Sequence, residues 1–390
     1  MRLRDRWLAC QRGDVSKKAY IDDTQVAGWN YNAHHILLNP ILSSKFVDVV
    51  CFDWMHVWCI EGIFSRELEG LLSHRPAKFD CKVLNDYLMR WTWPGGCATG
   101  ARVLEAGHFS GNASETLSCA PVIAKFVRDV VKPLHVPGLS ASVDSFLLCC
   151  HALQLLNAAR RGATSPDELH TCVLNFLHAH QLAYGNKYWV YKHHMAAHIA
   201  EMWRRSGVLC NCWVHERKHK LVKRFVQNRT NSVGYENGLM LQMIAQTAHD
   251  LQLHFRTKSG LVNPRSAGKK LVSAIQSMRP GSQVIDCSSQ ARLIGGALIS
   301  RGDIVLLGRA YNFKVAQVWF HLRIDESELS LVVLHEVHRI DPDKHWCQCI
   351  PRETPAAVLI PTADIQCAAI ARITDSIITV LWPLEFARLT

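Results

Sequence analysis

Most of the first 260 residues carry apolar side chains at the spacing of amphipathic helices. The exception is residues 46–52, a β-branched and apolar run that predicts a buried strand ending at Asp53. Over residues 54–72 the spacing becomes helical, which places the glutamates of this segment, Glu67 among them, on the solvent side. Further helices are predicted at about 120–131, 143–160, 192–206 and 235–254, and one more begins with the capping sequence Thr164-Ser165-Pro166-Asp167-Glu168.

Beyond residue 260 the pattern changes to short β-rich runs separated by turn signals. These runs predict a small antiparallel barrel or sandwich, and they fall at Ile304–Leu307, Val315–Ile324, 329–334, 357–360 and 377–381. The expected fold class is therefore α+β, with a mainly helical N-terminal two-thirds and a β-rich C-terminal domain. We divide the chain into segments 1–75, 76–190, 191–260 and 261–390.

Composition is that of a globular protein, with 48% hydrophobic and 20% charged residues. No stretch approaches the roughly 20 uninterrupted apolar residues that cross a bilayer, so we expect no membrane partner. The charged start, Met1-Arg2-Leu3-Arg4, is unlike a signal peptide. Fifteen cysteines without a secretion signal indicate reduced thiols in the nucleus or cytoplasm.

Charge adds a hint about partners. The chain has 44 basic and 33 acidic residues, a formal net charge of +11. Such an excess favours polyanions such as nucleic acid, although a basic protein without that partner has the same composition.

The motif Asp53-Trp54-Met55-His56 is the first candidate site. An Asp at the end of a buried strand, with a His in the next helical turn, can present a carboxylate to a divalent metal. An N-cap at Asp53 with a packed His56 explains the same residues, and by itself that explanation is favoured.

Two further motifs are rich in histidine. His193, His194 and His198 lie on one predicted helix, where packing and polar surface explain them as well as metal binding does.

Residues 210–219 contain His215-Glu216-Arg217-Lys218-His219, the His-Glu-x-x-His pattern of zinc proteases. The charged Arg217 and Lys218 argue against a protease. A structural zinc site on Cys210, Cys212, His215 and His219 is the alternative.

A basic run follows these histidines. It comprises Arg217, Lys218, Lys220, Lys223, Arg224 and Arg229, of which positions 217, 220 and 224 share a helical face. A cationic stripe of this kind suits binding to a phosphate backbone, and a solvated helix face is the alternative.

In their order along the chain these pieces resemble the C-terminal part of CACTA-type (En/Spm-like) DNA transposases and their degenerate relatives. That family has an Asp-x-Met-His motif, a helical region, a Lys/Pro-x-His-x-x-x-His helix, an aromatic-Glu-Arg core with basic residues and a Gly-containing turn. The matching segments here are Gly28-Trp29-Asn30-Tyr31-Asn32, Asp53-Trp54-Met55-His56, Lys192-His193-His194-Met195-Ala196-Ala197-His198, His215-Glu216-Arg217-Lys218-His219-Lys220 and residues 228–238. The resemblance covers about residues 25–260 and depends on the order of the motifs.

The resemblance implies a ribonuclease-H-like core with a helical insertion, which cleaves and joins DNA with two metal ions held by three acids. It makes Glu216 the late acid and Asp53 with His56 the Asp-x-x-His element, with Mg or Mn as the metal. In the family the first catalytic Asp comes from an upstream strand, and neither Asp22 nor Asp23 lies on a strand-like run. We therefore expect a catalytically inactive, transposon-derived protein with residual DNA binding.

Three hypotheses remain open on the sequence alone. The transposon-derived protein requires Asp53 and Glu216 to lie close together in the fold. A zinc-dependent hydrolase would use His215, Glu216 and His219. A non-enzymatic scaffold would bind partners through residues 261–390.

Overall fold

The computed structural model describes residues 3–27, 51–73, 80–94, 104–105, 108–109, 111–159, 162–212, 223, 235–254, 259–293, 296–308, 311, 314–341, 346–351 and 357–382. The α-helices are α1 (Leu3–Arg12), α2 (Lys17–Ala27), α3 (Trp54–Trp58), α4 (Ile63–Ser73), α5 (Cys81–Met89), α6 (Ala113–Phe126), α7 (Leu139–Ala159), α8 (Pro166–Tyr184), α9 (Tyr191–Ser206), α10 (Tyr235–His254) and α11 (Lys269–Met278).

The strands vary from two residues to the 15 of Ser327–Asp341, which is longer than the predicted run 329–334. They are β1 (Leu104–Glu105), β2 (His108–Phe109), β3 (Gly260–Val262), β4 (Arg265–Ser266), β5 (Val284–Ser288), β6 (Gln290–Arg292), β7 (Leu298–Ser300), β8 (Ile304–Leu307), β9 (Val315–Ile324), β10 (Ser327–Asp341), β11 (Trp346–Ile350), β12 (Ala357–Pro361), β13 (Ile365–Ile373) and β14 (Ile378–Leu381). Their sheets are antiparallel, which confirms the α+β class.

The helix predicted over residues 54–72 is interrupted. It forms the short α3 and the longer α4, with a break at residues 59–62. Gly62 explains the tightness of the break, because a Cβ at this position would lie 2.7 Å from the Trp58 carbonyl carbon and 2.8 Å from its oxygen. The prediction that Glu67 faces solvent is wrong, since its side chain is fully buried on α4.

Helix α6 begins earlier than the predicted residue 120. Asn112 caps it by accepting hydrogen bonds from the amides of Ser114 and Glu115, while the Glu115 carboxylate accepts from the Asn112 amide at 2.7 Å. A π-helical turn, Val127–Val131, continues the helix. Such turns are uncommon and often lie at functional sites.

A single apolar core unites α3, α4, α6, α7, α8 and α9. Its largest fully buried side chains are aromatic and include Trp54, Trp58, Phe64, Phe126, Phe146 and Phe176. Helix α7 crosses this core and has the length and hydropathy of a membrane span, but 61% of its most apolar window is buried inside the protein. That burial is typical of the core helix of a globular fold.

The C-terminal strands form a nine-stranded antiparallel sheet whose order is β12-β10-β11-β14-β13-β8-β9-β5-β4. Strand β10 also pairs with β9, so that β10, β11, β14, β13, β8 and β9 close a ring of pairings. Both faces of β8 are buried. The ring contacts the helical part through Thr92 and Ala371, which exchange two backbone hydrogen bonds of 2.6 and 3.1 Å.

Candidate metal-binding site

Asp53 is the N-cap of α3, as the simpler sequence explanation predicts. Its Oδ1 accepts a hydrogen bond from the Met55 amide at 3.0 Å, which satisfies a donor at the helix start. The same oxygen also accepts from the Cys212 amide at 3.2 Å, across 159 residues of chain. The carboxylate therefore caps a helix and also fixes a distant segment.

The second carboxylate oxygen of Asp53 forms a short contact with Nδ1 of His56. A carboxylate partner orients the imidazole ring, as is common at metal-binding histidines. The Asp53 side chain is 14% exposed and that of His56 is 42% exposed. The pair therefore lies at a solvent-accessible edge of the helical core.

Cys212 completes a cluster with Asp53 and His56. Each of the three residues offers a ligand atom, and these atoms lie within 4.8 Å of one another. We call this group the Asp53 site. Imidazole, thiolate and carboxylate together form a donor set that zinc accepts, whereas Mg²⁺ and Mn²⁺ prefer oxygen.

Two further thiols lie beside the Asp53 site. The Cys210 carbonyl oxygen accepts a hydrogen bond from the Trp54 amide at 3.3 Å. Burial raises the pKa of the Cys210 thiol, and the neighbouring thiol of Cys51 and charge of Asp53 raise it further. A bound cation would reverse this effect, because metal coordination stabilises the thiolate. None of the described cysteines forms a disulfide bond.

Many of the sequence-predicted site residues lie outside the described residues. These are Glu216, the histidines His215 and His219, and the basic residues Arg217, Lys218, Lys220, Arg224 and Arg229. Lys223 is described and is exposed. Of the four ligands of the alternative zinc site, Cys210 and Cys212 are described, and both lie next to Asp53.

A second cluster, which the sequence analysis missed, lies deep in the helical core. Glu67, His180 and His193 are all fully buried and offer ligand atoms within 4.8 Å of one another. His193 had been grouped with His194 and His198, but it turns into the core while His194 and His198 contact each other edge to face at 4.8 Å. The signal that could have found it is a charged residue at an otherwise apolar helix position, as Glu67 is between Phe64 and Leu68.

A basic cleft lies where the π-helical turn meets β10 and β11. It is a cavity of about 660 Å³ lined by four cationic side chains, those of Lys125, Arg128, Lys132 and Arg339. Trp346 forms part of its wall, with Lys125 Nζ 4.1 Å and the Arg339 guanidinium 5.3 Å from the ring centroid. Asp129 is the acidic member of the lining and pairs with Lys125 at 2.8 Å.

Comparison of the chain with protein-family models, with curated proteins and with solved structures finds no match.

Proposed function

We propose that this chain is a transposon-derived DNA-binding protein, catalytically inactive, that holds a zinc ion at the Asp53 site. In this proposal residues 1–75 are the remnant of a ribonuclease-H-like core, and residues 76–190 are its helical insertion. Action on DNA implies a nuclear location. The β-rich residues 261–390 contribute Arg339 to a second cationic surface, whose other cations, Lys125, Arg128 and Lys132, lie in residues 76–190.

One observation carries the proposal: the Cys212 amide donates to Asp53. Glu216 follows Cys212 by four residues, a length of chain that spans at most about 14 Å. This contact therefore supports the expectation that Asp53 and Glu216, the two acids of the transposase resemblance, lie near each other. The basic run from Arg217 to Arg229 begins at the same place.

The ligand chemistry favours zinc over the catalytic metals of a transposase. Strand transfer by two metal ions needs a site built from carboxylate ligands, whose oxygen atoms bind Mg²⁺ or Mn²⁺. The described ligands of the Asp53 site include a thiol and an imidazole, and three protein ligands leave one zinc position for Cys51, Cys210 or water. When bound, zinc would connect the turn at residues 51–56 to residues 210–212 and stabilise the start of the basic run.

The basic cleft is a surface within the described residues that could bind DNA. Four cationic side chains and one acidic side chain line the cavity. Its volume is within the range of about 300–1,000 Å³ that is typical of small-molecule sites. Phosphate groups are the ligands that such a charge excess favours. The Trp346 ring beside them is buried and forms part of the cleft wall.

Zinc binding is tested by measuring the metal content of the purified protein. We expect zinc in the wild-type chain and a loss of one equivalent in the Cys212→Ser variant. The matched control is Cys10→Ser, because Cys10 is also a half-buried cysteine outside any disulfide and lies on α1. Equal zinc content in both variants would refute the zinc assignment at the Asp53 site.

DNA binding is tested by fluorescence anisotropy with duplex DNA over a range of salt concentrations. We expect binding at low salt that weakens steeply as salt rises, because counterions are released on phosphate contact. A chain that binds no duplex at low salt would favour the scaffold hypothesis.

The zinc-hydrolase hypothesis predicts zinc loss in His219→Ala together with loss of hydrolytic activity, a result that the present proposal does not expect.

A further inference from the structure

Three helices bring one polar side chain each to a single point in the aromatic core. Glu67 comes from α4, His180 from α8 and His193 from α9, and all three are fully buried. The rings of His180 and His193 lie with centroids 4.4 Å apart. Buried polar groups normally have their hydrogen bonds satisfied, so this cluster needs an explanation.

The hydrogen bonds of the cluster fix the orientation of the rings. Nδ1 of His180 forms a short contact with one carboxylate oxygen of Glu67, and Ser145 donates a hydrogen bond of 2.9 Å to the other oxygen. Nδ1 of His193 accepts a hydrogen bond of 3.1 Å from the Val190 amide at the start of α9 and also lies 3.2 Å from the Val190 carbonyl oxygen. Nδ1 of His180 is therefore engaged by a carboxylate, and Nδ1 of His193 is engaged by the backbone of Val190.

The opposite ring nitrogens have no such partner. Nε2 of His180 and Nε2 of His193 are both buried and lack a hydrogen-bond partner among the described residues. The two nitrogens of an imidazole point to opposite sides of the ring, so a cation bound to the Glu67 carboxylate would meet His180 at Nδ1, in the place of the proton of the short contact. The cluster holds two buried ring nitrogens without a hydrogen-bond partner and three residues that offer ligand atoms within 4.8 Å of one another.

The charge balance also favours a cation. The Glu67 carboxyl is fully buried, and its hydrogen-bond partners are the His180 ring and the Ser145 hydroxyl. A neutral imidazole is the form that binds metal, and a divalent ion would supply the positive charge that a buried carboxylate requires.

We propose that Glu67, His180 and His193 form a second metal site, which binds a divalent transition-metal ion through two imidazole nitrogens and a carboxylate. This donor set is that of zinc sites and of non-haem iron sites. Ligand atoms of a tetrahedral site with bonds of about 2.0–2.2 Å lie about 3.4 Å apart, which is within the 4.8 Å that encloses the three ligand atoms here. We call it the Glu67 site.

The Glu67 site is separate from the Asp53 site and does not rest on the proposed function. It lies among the rings of Phe176, Tyr184 and Trp189 and is closed to solvent. Its metal would therefore enter during folding and connect α4, α8 and α9. Its ligands are nitrogen and oxygen, whereas the Asp53 site contains sulfur, and this difference separates the two sites by spectroscopy.

The test uses the full chain refolded in the presence of cobalt(II). The His56→Ala/Cys212→Ser double variant should lose the near-ultraviolet thiolate-to-cobalt charge-transfer band. It should keep one tightly held cobalt per chain, with the visible d–d absorption of nitrogen and oxygen ligands. Adding His193→Gln to that variant should remove the remaining cobalt, and His198→Gln, which changes an imidazole on the same helix outside the core, should leave it bound.

Two results would overturn the Glu67 site. One is a folded double variant that retains no cobalt, a result that does not depend on any change inside the core. The other is cobalt retention unchanged by His193→Gln. Neither result affects the zinc assignment at the Asp53 site, which the thiolate band in the wild-type chain reports independently.

Discussion

At the scale of single residues, His193 makes the stability of the metal-free protein sensitive to acid. Its pKa is lowered from 6.5 to about 3 in the fold, chiefly by burial. Between these values the unfolded chain binds a proton that the folded chain does not bind, so stability is fully present above pH 6.5 and falls as the pH is lowered. One such group removes up to about 2.7 kcal/mol between pH 6.5 and about pH 4.5.

The measurement is urea unfolding with a chelator present at these two pH values. The His193→Gln variant should show a smaller difference between them than the wild type. His321 provides the comparison, because burial lowers its pKa to about 4 in the C-terminal ring, where it contacts the Ser330 hydroxyl. His321→Gln should therefore remove its own, separate share of the acid sensitivity; equal slopes in wild type and both variants would contradict the assignment.

Glu67 changes the pH dependence of stability in the opposite direction to His193. Because its pKa is raised in the fold, its contribution to stability is fully present below the unfolded value of 4.5 and is lost as the pH rises through the folded value. In metal-free protein at neutral pH we expect Glu67→Gln to be at least as stable as the wild type, since the amide keeps the shape without the charge. Glu67→Ala should cost roughly 2–5 kcal/mol, because it leaves a cavity and unpaired partners. Urea unfolding that ranks Gln with Ala would show that the carboxylate itself stabilises the fold and would contradict this expectation.

The residue scale also shows what the sequence could predict about the sites. The N-cap role of Asp53 follows from local rules, because Asp before an apolar helical run is a local signal. The contact of Asp53 with Cys212 spans 159 residues, and that of Glu67 with His180 spans 113. Helical periodicity assigns a glutamate to the solvent side unless a buried partner is known, and such partners come from distant helices.

At the scale of elements, the break between α3 and α4 depends on Gly62. A Cβ there would meet the carbonyl groups of Val57 and Trp58, which belong to a rigid helical turn. On α4 itself, a Cβ at Gly70 would lie 2.8 Å from Cζ of the Tyr184 ring, a side chain that can move. We expect Gly62→Ala to destabilise by about 3 kcal/mol or more and Gly70→Ala by about 1–3 kcal/mol.

The order of these two effects is the informative result. Thermal unfolding of both variants compares a clash against backbone with a clash against a movable ring. A larger loss for Gly70→Ala would mean that the Tyr184 ring is held more firmly than the α3–α4 turn. That outcome would contradict the explanation given for the break.

Element boundaries were predictable where a local signal marks them. Helix α8 begins at Pro166 behind the N-cap Ser165, as the capping sequence predicts, and the five predicted apolar runs lie on β8, β9, β10, β12 and β14. Strands β11 and β13 were not predicted. The break at residues 59–62 and the π-helical turn at Val127–Val131 were not predicted. Both arise from packing against other elements, which propensity does not contain.

At the scale of the whole molecule, the pattern change near residue 260 predicts the division into helical and antiparallel β parts. The contact between those parts was not predictable, because it depends on single residues such as Trp346 and on the pairing of Thr92 with Ala371. The same contact forms the basic cleft, whose cations come from α6, the turns after it and β10. A charge count gives +11 for the chain but does not say where the charge is concentrated.

That concentration leads to a prediction about DNA affinity. If Lys132 and Arg339 contact phosphate groups, replacing both with Gln should lower the slope of log affinity against log salt by roughly 1.8, since each lost contact contributes about 0.9. Lys17→Gln/Lys18→Gln removes the same charge from exposed positions on α2 and is the matched control. Both double variants have the same net charge, so a general effect of charge would change both slopes equally. A slope lowered only in the Lys132/Arg339 variant assigns the phosphate contacts to the cleft, whereas equal slopes in the two variants would assign DNA binding to another surface.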